Sequence, residues 1–61
     1  MAITLNKMKE LLQVNSLPGN PETIKELLGW AEEIIQKKGE KYITNNRHRL
    51  LQEWEFIVQN S

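Results

Sequence analysis

Residues 20–39 read NPETIKELLGWAEEIIQKKG, and they decide the fold class. The apolar side chains of this stretch recur at the three- and four-residue spacing that is typical of an amphipathic helix. Asn20 suits the N-cap, Pro21 suits the first helical position, and Gly39 suits the left-handed residue that follows a helix. The stretch therefore predicts a helix over residues 21–38. Its apolar face consists of Ile24, Leu27, Leu28, Ala31, Ile34 and Ile35.

A second helix is predicted upstream, over residues about 4–14. Its apolar residues share one face at 100° per residue, and Thr4 is a reasonable N-cap. Residues 15–20 then form a connector in which Pro18-Gly19 is a turn signal, with Gly19 at a position of positive φ. The apolar face of this helix consists of Leu5, Met8, Leu11 and Leu12.

A third helix is predicted to end at residue 59, and its start is open between two alternatives. One starts it just after Gly39, at Glu40 or Lys41; the other starts it near residue 45, with Thr44 or Asn45 as the cap. No stretch alternates as a strand does, so the sequence predicts an all-α fold, a small three-helix bundle that forms a single domain over residues 1–61. The predicted core is Leu27, Ala31, Ile34, Leu50, Trp54 and Ile57, closed by Leu5, Met8 and Leu12.

Composition argues against several classes of protein. Eight Lys and Arg residues balance eight Glu residues, and the chain has no cysteine and one histidine. We therefore expect no disulfide, metal site or cofactor. A 61-residue bundle leaves little volume for a substrate pocket, so we expect no catalytic residues, no small-molecule substrate and no enzyme activity. No run approaches the roughly 20 apolar residues of a membrane span, and no secretory signal pattern is visible, so a cytoplasmic location is expected.

Three aromatic residues fall outside the main apolar faces of the predicted helices: Trp30, Tyr42 and Phe56. A helical projection places Tyr42 near Phe56 and close to Arg49, while Trp30 lies at the edge of its helix's apolar face. Aromatic and arginine side chains of this kind are typical anchors of protein interfaces. The alternative is that they cover the rim of a small core, with their polar atoms in water.

The segment from residue 37 to residue 49 is basic within a neutral chain. Five cations stand against Glu40 alone, which gives a local charge of +4. Asn and Arg side chains contact base edges, and a helix start can contact phosphate, so this segment suggests a helix-turn-helix-like nucleic-acid site. The alternative is that the same residues compensate a helix dipole, cap helix ends or pair with Glu53. The candidate contacts are Lys37, Lys38, Lys41, Asn45, Asn46, Arg47 and Arg49.

The favoured hypothesis is a small protein-interaction or regulatory module that binds a macromolecular partner through its exposed aromatic residues. A nucleic-acid-binding protein is the second hypothesis. A chain of 61 residues without disulfides has little stability in reserve. Self-association as a homodimer is therefore one expected form of the interaction.

Overall fold

Four helices make up the structure, a computed structural model that describes the backbone of residues 2–60 and the side chains from Thr4 to Asn60. No strand is present within these residues, and the predicted all-α bundle is confirmed. Met1 and Ser61, the two ends of the predicted domain, lie outside the described residues. The bundle measures 28 × 22 × 18 Å. The helices are α1 (Ala2–Leu12), α2 (Pro21–Lys37), α3 (Glu40–Asn45) and α4 (Arg47–Gln59).

α1 lies two residues nearer the N-terminus than predicted. Thr4 is inside the helix, so its assignment as the N-cap was wrong. The helix ends because Gln13 adopts a φ of +60°. The Gln13 N–H donates to the Glu10 carbonyl (3.1 Å) and the Val14 N–H donates to the Lys9 carbonyl (2.9 Å). This is a Schellman ending, with glutamine where glycine is usual.

α2 follows the sequence signals closely. The Asn20 side chain accepts from the Glu22 N–H at 2.8 Å, and Pro21 is the first helical residue, as predicted. Gly39 has a φ of +87°, which confirms its predicted role of turning the chain after α2. Gly19 does not have a positive φ, so the conformation predicted for it was wrong, although the chain bends there. The start of α2 does not need a positive φ at Gly19, because Pro21 has a fixed φ and Asn20 caps the helix.

The predicted third helix is two helices, and the break is at Asn46. There the backbone has φ −116° and ψ 26°, and both the N–H and the side-chain amide of Asn46 donate to the Tyr42 carbonyl at 2.9 Å. Asn60 repeats this arrangement on the Phe56 carbonyl at the end of α4. The first predicted start therefore corresponds to α3. The second lies close to the start of α4, but its predicted cap was wrong, because Thr44 and Asn45 are inside α3 and Asn46 precedes α4.

Each of the four helices contacts the other three, and α1 contributes Leu5, Met8 and Leu12 to the hydrophobic core. Met8 and Leu12 are completely buried, so α1 does more than close a core formed by the later helices. Ile34 and Ile57, which were predicted to be central, are only half-buried. The buried residues are Leu5, Met8, Leu12, Leu27, Ala31, Ile43, Leu50 and Trp54, together with the polar Thr23.

Candidate protein-binding groove

Phe56 is the most exposed large apolar side chain among the described residues. It is 67% exposed, while Trp54, two residues earlier, is buried. Residues two apart on a helix point about 200° apart, so the packing of Trp54 into the core directs Phe56 outward. The exposed ring is therefore a fixed consequence of how α4 packs, and it agrees with the sequence prediction.

Trp30 forms the opposite wall of the same surface and is held by polar contacts to α4. Its indole Nε1–H donates to Glu53 Oε1 at 3.0 Å, and Arg49 Nε lies 3.8 Å from Glu53 Oε2. The Trp30 ring meets Trp54 edge-to-face, with the centroids 6.2 Å apart and the planes at 70°. The half-buried indole is thus held in one orientation by α4.

An open groove of about 380 Å³ lies between these two aromatic residues. We call it the Phe56 groove, and it has apolar walls with one basic and one acidic edge. Its shape suits a protruding side chain better than a small substrate, because it is open and its exposed lining is mostly apolar. The lining residues are Trp30, Arg49, Gln52, Glu53, Phe56 and Ile57.

Tyr42 does not line the Phe56 groove. It lies on α3, half-buried against the core, with Lys38 Nζ 5.5 Å from the centre of its ring. The projection that placed it near Phe56 assumed a continuous helix. The break at Asn46 removes that assumption, and the structure brings together only Trp30 and Phe56 of the three predicted interface aromatics.

Two residues of the basic segment serve the fold itself. Arg47 Nε donates to the Leu12 carbonyl at 3.1 Å, across the junction between α1 and α4. The side-chain amide of Asn46, the other predicted base-contacting residue here, is occupied by the Tyr42 carbonyl. These contacts use one donor atom of each side chain for the fold itself.

The remaining cations of the segment are dispersed over the surface. Lys37 pairs with Glu33 at 3.3 Å, Lys38 lies beside the Tyr42 ring, and Arg49 pairs with Glu53. Lys41 and Asn45 are exposed on α3. α3 has six residues and is separated from α4 by Asn46 alone, which differs from the three- to four-residue turn of a helix-turn-helix.

A second groove, of about 540 Å³, lies where the connector after α1 crosses α4. Leu17 on the connector, 36% exposed, faces Leu51 and Val58 across it. Sequence reasoning missed this groove because it treated the connector only as a turn. An isolated leucine directly before Pro18 in a polar connector was the available signal.

No group of three or more His, Cys, Asp or Glu side chains within the described residues is arranged to hold a metal ion. No helix between residues 2 and 60 has the length and apolar character needed to cross a membrane. No family model matches the chain, and neither the curated proteins nor the solved structures contain a significant match.

Proposed function

We propose that this protein is a small, non-enzymatic interaction module that binds a protein partner through the Phe56 groove. The observation that carries the proposal is the exposed Phe56 ring on α4, set beside an indole that is already fixed in place. An aromatic anchor next to a preformed apolar wall is the arrangement that concentrates binding energy at protein interfaces. Because Trp30 is already held by Glu53, little side-chain freedom is lost on binding.

Residues around the groove fit the same role. Arg49 and Glu53 lie at its edge and form a polar rim around the aromatic centre, as in many protein interfaces. We further propose that the interaction takes place in the cytoplasm. Tyr42 lies outside the groove, so its predicted role in a protein interface stays a separate prediction.

The nucleic-acid hypothesis has less support from the contacts. Arg47 and Asn46 donate to main-chain carbonyls. Lys37 pairs with Glu33, Arg49 pairs with Glu53, and Lys38 lies beside the Tyr42 ring. Binding phosphate through these atoms would compete with their internal contacts. The Phe56 ring is already exposed, so protein binding is the favoured proposal.

An affinity experiment with isotopically heavy bait tests this proposal. Heavy, tagged protein is incubated with an extract of cells that express the untagged chain, and bound proteins are quantified by mass spectrometry. Phe56→Ser is compared with Leu17→Ser, which removes an exposed apolar side chain from the other groove. Light peptides of this chain identify a second copy, and other peptides identify a different partner.

We expect recovery of a stoichiometric partner by the parent and by Leu17→Ser, with at least a tenfold loss for Phe56→Ser. Circular dichroism checks that both variants keep their helix content. Equal recovery by all three proteins, or no stoichiometric partner with any of them, contradicts the proposal.

A further inference from the structure

We infer that the Phe56 groove binds a second copy of this chain, with the two α4 helices antiparallel about a two-fold axis that passes between Gln52 and Glu53. This inference rests on the proposed function, since it names the partner of the same groove. Three features of α4 support it: the spacing of its exposed residues, its charge distribution and the position of the groove.

The spacing of the exposed residues makes this face of α4 self-complementary. Arg49 and Phe56 are seven residues apart, which is about two helical turns, so they point to nearly the same side. The midpoint between them is also the midpoint between Gln52 and Glu53. An antiparallel pairing centred there places Arg49 of each copy opposite Phe56 of the other. A guanidinium over a phenyl ring is a favourable contact.

The charge distribution along α4 selects the antiparallel orientation. Arg49 and Glu53 are four residues apart on the face that carries Phe56, and Glu53 is the middle residue of the helix. In the antiparallel register, Glu53 of one copy lies about 4.5 Å along the helix axis from Arg49 of the other, and the two helix dipoles oppose each other. Parallel packing would align like charges. The side chains of Arg49 and Glu53 are 71% and 44% exposed, so both are accessible to a second copy.

The groove lies where the incoming ring arrives. Arg49 borders it together with Trp30, so the Phe56 ring of a second copy, placed opposite Arg49, faces this opening. Each copy thus supplies one protruding ring and one recess. A closed pair uses both and leaves neither ring exposed, as a two-fold interface requires.

Sedimentation equilibrium of the purified, full-length protein tests the inference. Samples from about 10 μM to about 1 mM span the range of weak homodimers. We expect the mass to rise from 7.2 kDa toward twice that value. Phe56→Ser and Arg49→Glu should each raise the dissociation constant at least tenfold, while Leu17→Ser should leave it within twofold of the parent.

The register is tested separately with single cysteines, because the chain contains none of its own. Position 52 lies beside the proposed axis, so two Gln52→Cys residues approach each other to about 7 Å or less, close enough for a disulfide. Two Gln59→Cys residues would lie about 20 Å apart along the paired helices. With oxidised glutathione, Gln52→Cys should form a disulfide dimer at least tenfold faster than Gln59→Cys.

The outcomes separate this inference from the proposed function. A mass of 7.2 kDa at every concentration overturns the inference that the partner is a second copy. The proposed function still holds in that case if the bait experiment recovers a different protein and Phe56→Ser loses it. A dimer that forms equally well in Phe56→Ser overturns the interface. Equal disulfide rates at positions 52 and 59 overturn the register.

Discussion

Arg47 and Leu12 are joined across 35 positions of sequence by a 3.1 Å hydrogen bond from the guanidinium Nε to the main-chain carbonyl oxygen. Leu12 is the last residue of α1, so its carbonyl has no acceptor role within that helix. Arg47 is the first residue of α4 and carries a positive charge to the negative end of the α1 dipole. One side chain thus fixes the end of α1 against the start of the helix that carries Phe56.

Replacing Arg47 should therefore destabilise the fold. We expect Arg47→Ala to lower the free energy of unfolding by about 1.5–3 kcal/mol, because a charged donor is removed from a half-buried carbonyl. Arg49→Ala is the matched control. Because the ion pair between Arg49 and Glu53 is exposed, this substitution should lower the free energy of unfolding by less than about 1 kcal/mol. Urea denaturation followed by circular dichroism measures both. Equal effects would show that the contact to Leu12 contributes nothing of its own.

Gln13→Gly should stabilise the protein. The left-handed φ of Gln13 costs roughly 1–2 kcal/mol, and glycine removes that strain while adding some entropy to the unfolded chain. We expect a net gain of about 0.5–1 kcal/mol in urea denaturation. Gln52→Gly, the same replacement inside α4, should instead lose about 1 kcal/mol. A loss at position 13 as well would contradict the Schellman ending of α1.

Asn46→Ala should weaken the junction between α3 and α4. The variant loses the side-chain donor to the Tyr42 carbonyl and should be less stable by about 1 kcal/mol. Asn45→Ala, one residue earlier and exposed, should change the unfolding free energy by less than about 0.5 kcal/mol. Thermal denaturation compares the two. A larger loss of stability in Asn45→Ala than in Asn46→Ala would contradict the placement of the helix break at Asn46.

Glu53→Ala should release the Trp30 indole, whereas Glu53→Gln keeps an acceptor for it. We expect the alanine variant to lose about 1 kcal/mol and the glutamine variant to recover most of that loss. In two-dimensional NMR, the Trp30 indole resonance should move markedly in Glu53→Ala and little in Glu55→Ala, whose side chain is exposed. Unchanged indole resonances in all variants would show that the Nε1–H to Glu53 bond is absent in solution.

The features that the sequence predicted well depend on neighbouring residues. Asn20 and Pro21 start α2, and the tolerance of Gly39 for positive φ turns the chain after it. The exposure of Phe56 followed in the same way from its angle relative to Trp54 on one helix. Such effects are local, and a helical projection contains all the information they need.

The features that were missed depend on distant or unusual contacts. The partner of Arg47 is a carbonyl on α1, which no helical projection of its own segment reveals. Gln13 carries out a role usually taken by glycine, because Val14 packs against the core as the chain leaves α1. Tyr42 was placed near Phe56 because the projection used the earlier of the two predicted starts, in which one helix continues through Asn46.

The most direct test of the proposed α4 pairing is a dilution series of ¹⁵N-labelled protein, observed by NMR from about 1 mM to about 20 μM. Pairing in the Phe56 groove predicts concentration-dependent shifts of the Trp30 indole N–H and of the amides of residues 49–57, with the amides of residues 13–17 unchanged. Spectra that do not change with concentration, or shifts confined to residues 13–17, would contradict it.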